Sequence, residues 1–336
     1  MKDGLRIAVA GTGSISQVVH LPILTERYDV EVVAVSDRDD LKAATIGKRF
    51  GVDRILTDEE LTGDENIDGV VICAPAHRHE ELAVQVLEAG KHVLVERPLA
   101  LSTDGVSRVL NAAKETGAKA VVGMAHRYRA DVSALRAFMA GGELGEISAV
   151  HVSWLNRKVR HARATWRQGT QETGGGALMD LGVPALDLAL WVLGYPEFTQ
   201  VSARTYGDEL PVVEEAHLTA ITASGTTVSL SASGRYHGSE DIHQMRVLGS
   251  EGAALLPPMS VYKQLGGRPL DVTPRQPMPR GGEDLFTNAY RRQLDHFIRV
   301  VGGEAEAAPP SEQGILMGLI EGAYRSAREG REVTLP

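Results

Sequence analysis

A short glycine-rich segment near the start of the chain has the residue types that bind a pyrophosphate. Gly11-Thr12-Gly13-Ser14-Ile15-Ser16 follows a strand-like apolar run and opens a helical pattern. Glycine at position 11 permits a tight turn. Glycine at position 13 lets the backbone approach a phosphate whose charge lies at the helix N-terminus. Because Ser16 stands where the fingerprint has a third Gly or Ala, the segment alone is a weak signal.

An acidic residue at the end of the second predicted strand strengthens this interpretation. The carboxylate of Asp37 can accept hydrogen bonds from both hydroxyls of an adenosine ribose, and it repels a 2′-phosphate. Together with the glycine segment it predicts binding of NAD. Its neighbour Arg38 could stack on adenine, pair with the 2′-phosphate of NADP or lie in solvent, so NADP stays possible. The alternative is a plain glycine turn beside a surface aspartate.

The elements that must position these residues alternate between strand and helix in the first third of the chain. Continuous apolar strands separated by helices indicate a parallel sheet covered on both faces, and right-handed crossovers make it doubly wound. The predicted strands are Leu5–Ala10, Val30–Ser36, Gly69–Ala74, His92–Glu96 and Ala120–Gly123, and the predicted helices are Ser16–Leu24, Leu41–Phe50, Glu80–Ala89 and Ser102–Thr116.

The remainder of the chain has the alternation of an antiparallel sheet joined by hairpins. The fold class is therefore α/β, with a Rossmann domain over residues 1–124 and an α+β domain with a large open sheet over 125–336. The stretch Pro257–Gly282 is predicted to be a long irregular loop. The predicted strands are Glu146–Trp154, Phe198–Thr205, His217–Ala223, Thr226–Ser233 and Met245–Leu248, and the predicted helices are Leu178–Leu193, Leu285–Val301 and Glu312–Glu329.

Composition narrows the class of partner. The 336 residues carry 35 basic and 44 acidic side chains, which give a net charge of −9. That balance argues against nucleic acid and against an anionic membrane surface as partners, and leaves a small-molecule substrate. One cysteine, Cys73, excludes an intrachain disulfide. Without a signal-peptide pattern or a run of about 18 uncharged apolar residues, we expect a cytoplasmic protein.

Several further motifs, taken in order, resemble those of the Gfo/Idh/MocA family of glucose–fructose oxidoreductases and inositol dehydrogenases. The run Cys73–His79 is similar to the family's T-P-N-x-x-H, and Glu96-Arg97-Pro98 to its E-K-P. The run Gly174–Gly182 is similar to G-G-G-x-L-x-D-x-G, and Glu321–Gly330 is a typical ending. Each motif is unspecific alone, but their order and spacing extend the resemblance over nearly the whole chain.

The resemblance implies hydride transfer between a nicotinamide and a carbinol or carbonyl carbon of a sugar, inositol or related ring. The protein would hold that carbon at the nicotinamide and manage the proton. With the glycine segment and the acid at position 37, the motifs give the expected cofactor contacts. These are Gly11, Thr12, Gly13, Ser14, Ile15, Asp37, Arg38, Ala74, Pro75, Ala76, His79, Glu96, Arg97, Trp166 and Arg167.

Two departures from the family pattern affect proton handling. The lysine of E-K-P is Arg97, which keeps a positive charge but cannot shuttle a proton. The histidine of D-x-G-x-H-x-x-D is Pro184, while Asp180 and Asp187 remain. Asp180 is either a helix N-cap or a substrate ligand, and Asp187 is expected to cap or pack within the helix. Three explanations stay open: another group moves the proton, the substrate needs no proton from the protein, or the protein binds cofactor without turnover.

Replacement candidates follow the last strand of the first domain. His126 and Tyr128 can move a proton, and their position is similar to the family's N-x-R-F segment at the domain junction. Arg127 either binds an anionic group of the substrate or braces the domains. The expected catalytic residues are Arg97, Asp180, His126 and Tyr128.

The second domain is expected to bind the substrate and to form a homodimer or homotetramer. Trp166-Arg167 resembles a family segment near nicotinamide and substrate. His20 is expected to be structural, and the histidines lack the spacing of metal ligands. The expected substrate contacts are Arg127, Trp154, His161, Trp166, Asp180, Tyr236 and His237.

The sequence therefore predicts an NAD(P)-dependent oxidoreductase acting on a sugar-like or cyclic polyol substrate. Two alternatives stay open. One is a cofactor-binding protein without catalysis, suggested by the missing lysine and histidine. The other is a lyase or glycosidase that oxidises its substrate transiently with tightly held NAD.

Overall fold

A computed structural model describes residues 4–157, 176–207, 213–275 and 282–335. The chain divides into two compact units, which are described separately. The first comprises Met1–Ala125 and Glu283–Gln313, and the second comprises His126–Gly282 and Gly314–Pro336. Among the helices of the described ranges, none is both long enough and apolar enough to cross a membrane.

The first unit contains a five-stranded parallel sheet in the order β2-β1-β3-β4-β5. Helices connect the strands in sequence, which confirms the predicted doubly wound Rossmann fold. The strands are β1 Leu5–Ala10, β2 Val30–Ser36, β3 Gly69–Ile72, β4 His92–Glu96 and β5 Ala120–Gly123. The helices are Ser16–His20 continued by Leu21–Thr25, Asp40–Phe50, Asp58–Gly63, His79–Glu88 and Thr103–Thr116.

A helix from late in the chain completes the first unit. The helix Leu285–Val301 places Phe297 and Val301 over β3, where a Cβ on Gly69 would lie 3.2 Å from either side chain. The absence of a side chain at Gly69 therefore makes room for the helix. The predicted division at residue 124 assigns this helix to the second domain, whereas its contacts place it in the first unit.

The second unit contains a nine-stranded, mostly antiparallel sheet in the order β13-β12-β11-β10-β6-β9-β8-β7-β14. The pair β6–β9 is parallel, and the other pairs are antiparallel. This confirms the predicted α+β class of the C-terminal part. The strands are β6 Ile147–Arg157, β7 Phe198–Tyr206, β8 Glu215–Thr222, β9 Thr227–Tyr236, β10 Ile242–Gly249, β11 Gly252–Leu256, β12 Ser260–Leu265, β13 Arg268–Asp271 and β14 Val333–Thr334. The helices are Ala130–Ala140, Leu178–Gly182 continued by Val183–Leu193, and Glu312–Glu329.

One face of this sheet is covered by the helix that begins at Leu178. A Cβ on Gly182 would lie 3.2 Å from Cδ2 of Leu230 on β9. The close approach identifies the face of the sheet that carries Leu230 as the covered one.

The prediction of an irregular loop over Pro257–Gly282 is wrong for its described part. Strands β12 and β13 form a hairpin there, with Leu265 paired to Arg268. The two connecting residues, Gly266 and Gly267, have φ angles of 58° and 76°. A two-residue turn of this kind needs positive φ at both positions, and Gly-Gly supplies it. The glycines therefore mark a tight turn rather than a loop.

Candidate functional site

The glycine segment lies at the carboxyl end of β1, and its two glycines have different surroundings. Gly11 has a φ of +97°, and a Cβ there would lie 2.7 Å from backbone atoms of Cys73 and Ala74. A Cβ on Gly13 would meet nothing within 4 Å. Gly11 is thus required by the fold itself, whereas the surface at Gly13 is left open to a ligand. That open approach fits a pyrophosphate.

The serine at the third fingerprint position has a hydrogen-bonding role. Ser16 is buried, and its hydroxyl donates to the carbonyl oxygen of Gly11 across the turn. The amide of Gln17 donates to the carbonyl oxygen of Thr12 at 2.9 Å. These two bonds stabilise the conformation of the loop. Serine at position 16, in place of Gly or Ala, is therefore compatible with a cofactor-binding loop.

Asp37 is held against the glycine segment. Its Oδ2 accepts from the backbone N–H of Thr12 at 2.8 Å, from the Thr12 hydroxyl at 2.7 Å and from Nζ of Lys42 at 2.8 Å. Burial alone would raise the pKa of Asp37, but the bonds from Lys42 and Thr12 outweigh it and lower the pKa to about 2. The carboxylate is therefore ionised and oriented beside the loop, as a ribose acceptor must be.

Three other residues expected at the cofactor lie around this loop. Ser14 and Arg38 are exposed, and Ile15 is half-buried. Lys42, which sequence reasoning missed, follows the N-cap Asp39 of its helix and reaches back to Asp37. The sequence feature that could have identified Lys42 is its position in the first turn of that helix.

The loop after β3 is tied to the loop after β4 by a histidine. His79 is buried, with Nδ1 2.7 Å from the carbonyl oxygen of Pro98 and Nε2 2.8 Å from that of Ala74. Burial lowers the pKa of His79 despite these contacts. Both ring nitrogens face the backbone, so His79 positions the segment Ala74-Pro75-Ala76 rather than presenting its own ring to a ligand.

The carboxylate of Glu96 points into the protein interior. Oε1 lies 2.8 Å from Nε2 of the fully buried His20, and Oε2 accepts from the backbone N–H of Arg97 at 3.3 Å. The ring of Tyr290 meets His20 edge-on, with the centroids 5.8 Å apart. The motif predicts that Glu96 contacts the cofactor, but its carboxylate instead forms an internal ion pair with His20. This pair fixes the start of the segment that carries Arg97.

Arg97 itself is half-buried at the carboxyl end of β4. Ligands of doubly wound sheets bind at this end of the strands. Burial and the charge of Glu96 raise the pKa of the Tyr290 phenol, whereas the positive charge of Arg97 acts to lower it. The first unit thus presents a glycine loop, a fixed acid and a cation at one edge of its sheet.

In the second unit, Asp180 lies inside the first turn of its helix. The N-cap position belongs to Ala177, and the backbone N–H of Asp180 donates to the carbonyl oxygen of Gly176 at 2.8 Å. The alternative of a helix N-cap is therefore wrong. The side chain is half-buried, and its helix packs on β6, β8 and β9.

The ring of Trp154 contacts the rings of two histidines of the second unit. The ring of His126 meets it edge-on with centroids 5.0 Å apart, and the ring of His243 lies over it at 4.7 Å with a tilt of 37°. Nε2 of His243 is 2.7 Å from Oδ1 of Asn156. Trp154 is buried, so the residues that meet solvent at this cluster are its neighbours. Sequence reasoning missed His243 and Asn156, because neither belongs to a motif.

The expected residues Tyr236 and His237 lie at the same end of the sheet as Trp154. Tyr236 ends β9, paired with Arg157 of β6, and His237 follows it at the surface. Tyr128 ends the short helical turn Ala125–Tyr128 and is half-buried. These placements bring Tyr236 and His237 to the strand ends that also carry Asn156.

Arg127 is engaged within the second unit. Its Nε donates to Oδ2 of Asp187 at 2.9 Å, and Nη2 donates to Oδ1 of the same carboxylate and to the Tyr195 hydroxyl. The guanidinium also lies 4.6 Å from the ring centroid of Trp191. The Asp187 carboxylate is buried, and the Arg127 side chain is 9% exposed. Arg127 therefore braces this unit instead of binding the substrate as expected, and Asp187 is its ion-pair partner rather than a helix cap.

Comparison with known proteins assigns the chain to a family. The model described as "Oxidoreductase family, NAD-binding Rossmann fold" matches residues 5–124, and the model of the GFO/IDH/MocA C-terminal domain matches residues 132–255. The chain belongs to the Gfo/Idh/MocA oxidoreductase family. The resemblance inferred from the motifs is confirmed, and so is the NAD-binding nature of the first domain.

Relatives within the Gfo/Idh/MocA family extend over the full chain. A putative UDP-kanosamine synthase oxidoreductase subunit of Amycolatopsis mediterranei (strain S699) is 30% identical, over 97% of this chain and 97% of the relative. The D-glucoside 3-dehydrogenase of Escherichia coli (strain K12) is 27% identical, over 98% and 97%. The structure of GenD2 from gentamicin A biosynthesis, in complex with NAD, is 28% identical with a TM-score of 0.85, over 100% of this chain and 97% of that one.

In this Gfo/Idh/MocA member, Pro184, which the motif resemblance places at the histidine of the family pattern, is buried in a helix. Pro184 lies in the first turn of Val183–Leu193 and packs in the interior. Three expected residues, His161, Trp166 and Arg167, lie outside the described residues. Within the described part of the chain, no group of three or more His, Cys, Asp or Glu side chains could hold a metal ion.

Proposed function

We propose that this protein is an NAD-dependent dehydrogenase that oxidises a secondary hydroxyl of a sugar-like or cyclic polyol substrate. The observation that carries the proposal is the fixed carboxylate of Asp37 beside the open surface at Gly13. A carboxylate in that place accepts ribose hydroxyls and disfavours a 2′-phosphate. Bound NAD would accept the hydride at its nicotinamide ring.

The residues of this chain would then have the following roles. The glycine loop and Asp37 hold the dinucleotide, with Thr12 and Lys42 keeping the acid ionised and in place. Arg97 stabilises the oxygen that gains negative charge as its proton leaves. Asp180 binds a substrate hydroxyl. The proposed contacts to the substrate ring are His161, Trp166, Tyr236 and His237, and the proposed contacts to the cofactor include Trp166 and Arg167.

The choice of cofactor rests on the balance of charge around Asp37. Lys42 lies 2.8 Å from Oδ2 and offsets part of its charge, and the exposed Arg38 is the next residue. Both cations would favour a 2′-phosphate, while the carboxylate opposes it. We propose NAD as the preferred cofactor and NADP as a weaker one.

The assembly is proposed to be a homodimer or homotetramer formed through the face of the nine-stranded sheet opposite the helix Leu178–Gly182. That face carries short polar side chains such as Ser229 beside His151, which are bonded across the β6–β9 pair at 2.6 Å. Light scattering of the purified protein tests this proposal, and a monomeric mass at micromolar concentration contradicts it.

A titration with NADH and NADPH tests the proposed function. Protein stripped of cofactor is titrated with each, and energy transfer from tryptophan to the nicotinamide is measured. We expect tighter binding of NADH, followed by net reduction of NAD⁺ with a substrate from a panel of D-glucosides and inositols, chosen because relatives are named for them. Absence of binding overturns the proposal. Binding with no turnover indicates a non-catalytic protein, and product formation without net reduction indicates the lyase or glycosidase alternative.

A further inference from the structure

Strand register places a histidine beside Trp154 on the helix-covered face of the second unit. Trp154 on β6 is paired with Ala232 on β9 and with His243 on β10. Directly paired residues project to the same face of a sheet, and alternate residues along a strand share a face. Because Ala232 is two residues from Leu230, which meets Gly182 of the covering helix, His243 lies on the face that this helix covers.

The hydrogen bond of His243 fixes which ring nitrogen carries the proton. The amide oxygen Oδ1 of Asn156 can only accept, so Nε2–H of the neutral ring donates to it at 2.7 Å. The lone pair is then on Nδ1, which bonds to none of the described residues. Trp154 holds the plane of the ring from one side at a centroid distance of 4.7 Å. An oriented neutral imidazole at the surface has the form of a general base.

The charges around His243 come from three neighbouring segments. Arg129 lies on the turn before Ala130–Ala140, Asp241 precedes β10, and Arg157 ends β6 with its Nε 3.6 Å from Oδ1 of Asp241. His126 also contacts Trp154, with the ring centroids 5.0 Å apart. Burial, followed by the attraction of Asp241 and the repulsion of Arg129, leaves the pKa of His243 below its ordinary value. The base form is therefore populated at neutral pH.

We propose that His243 is the general base of the reaction, in place of the histidine that the family pattern has at position 184. The inference rests on the proposed function. In the oxidation, the substrate O–H bond breaks and its proton goes to Nδ1 of His243. The electron pair left on oxygen forms the C=O bond, and the hydride leaves carbon for oxidised NAD. Asn156 is a positioning residue that holds the tautomer.

The helix that carries Asp180 packs on β6, which also carries Trp154, and on β8 and β9. His243 is on the neighbouring strand β10, paired directly with Trp154. A substrate bound on this face by Asp180 would thus share its surface with the Trp154 cluster. This placement favours His243 over a histidine of the opposite face, such as His151.

The first test compares His243→Gln with His151→Gln, the same change on the other face of the same sheet. We expect His243→Gln to lower kcat about 10²- to 10⁴-fold with an unchanged Kd for NADH, and His151→Gln to alter neither. The acidic limb of the kcat/KM pH profile should disappear in His243→Gln. In Asn156→Asp, a carboxylate beside Nε2 raises the pKa of His243, so that limb should move to higher pH.

A second measurement does not need turnover. A protonated imidazole against an indole is a cation–π contact that quenches its fluorescence, so tryptophan emission should fall as the pH is lowered. That change should be reduced in His243→Gln, which leaves His126 against the indole, kept in His151→Gln and moved to higher pH in Asn156→Asp. An unchanged pH profile and unchanged fluorescence titration in His243→Gln overturn the inference while the proposed function stands. If NADH binds but nothing in the polyol panel is oxidised, both the proposed function and the inference fall.

Discussion

His20 and Glu96 form a buried pair whose atoms Nε2 and Oε1 lie 2.8 Å apart, directly beneath the backbone of Arg97. Burial by itself would lower the pKa of His20, but the neighbouring sulfur of Cys73 and the carboxylate of Glu96 outweigh it and raise the pKa to about 10. The histidine that sequence reasoning expected to be structural thus carries a charge in the interior. It couples the helix after the glycine loop to the segment that carries Arg97.

This pair should make folding stability fall at alkaline pH. The pKa of His20 is near 6.5 when unfolded and about 10 when folded, so the folded state holds the proton more tightly. The stabilisation is complete below the unfolded pKa and is lost as pH rises through the folded value. Urea unfolding from neutral pH to above pH 10 should show this loss. Glu96→Gln, which leaves a buried charge unpaired, should cost about 3–5 kcal/mol at pH 7.

The double variant His20→Gln, Glu96→Gln is the matched control for that experiment. Because it leaves neither charge in the interior, it should be more stable than Glu96→Gln alone, and its stability should lose the alkaline dependence attributed to His20. An alkaline decline of the same size in the double variant would assign the effect to other groups.

The two glycines of the loop should respond differently to alanine. Gly11→Ala forces a φ of +97° on a residue with a side chain and places Cβ against the β3 loop, so unfolding free energy should fall by at least about 1–3 kcal/mol. Gly13→Ala meets open space and should leave Tm unchanged. Its added methyl group should instead weaken NADH binding about tenfold, equivalent to ~1.4 kcal/mol. Equal Tm losses in the two variants would contradict a ligand-facing position for Gly13.

Much of the fold could be predicted because local patterns determine it. The buried apolar strands of the first domain and the alternating strands of the second are encoded residue by residue. The helix Leu285–Val301 was predicted as a helix but not in the first unit, because its partner Gly69 is distant in the chain. The hairpin at Gly266-Gly267 was hidden by surrounding prolines and glycines that are also typical of loops.

The candidate site was predictable only where it is a motif. The glycine loop and Asp37 are close in sequence, and their spacing is typical of a dinucleotide-binding motif. His243 and Asn156 meet across strands, and the ion pair of Arg127 with Asp187 joins residues far apart in the chain. Strand register and helix packing create these contacts, and a single sequence without aligned homologues does not reveal them.

Cofactor preference should depend on Asp37 and Lys42 in opposite ways. Asp37→Asn removes a charged acceptor, which should raise the Kd of NADH about 10-fold or more and reduce the discrimination against NADPH. Lys42→Met removes the cation at 2.8 Å from Asp37 and should weaken NADPH more than NADH. Because the pKa of Asp37 is about 2, this carboxylate stays ionised at neutral and mildly acidic pH, and its protonation should not change the NADH affinity there. Fluorescence titrations measure all three, and unchanged affinities in Asp37→Asn would exclude it as the ribose acceptor.

Loss of the Arg127 brace should affect stability rather than cofactor binding. Arg127→Met removes the guanidinium that pairs with the buried Asp187 carboxylate, so we expect a loss of about 3–5 kcal/mol in the free energy of unfolding, measured in urea, with an unchanged Kd for NADH. Arg331→Met breaks an exposed pair with Glu329 and should cost about 1 kcal/mol or less. If Arg127→Met has the stability of the wild type but a raised KM for the substrate, Arg127 is a substrate ligand instead.

Replacing Arg97 by the lysine of the family pattern should change the pH dependence of turnover. An arginine stays charged at all working pH values, whereas a lysine near the reacting oxygen can lose its proton. Arg97→Lys should therefore keep the NADH affinity, since the glycine loop and Asp37 are untouched, but add a basic limb to the kcat/KM profile. Arg108→Lys, in an exposed pair with Glu80, provides the same chemical change away from the site. If Arg97→Lys and the wild type have the same turnover and the same profile, Arg97 is remote from the reacting oxygen.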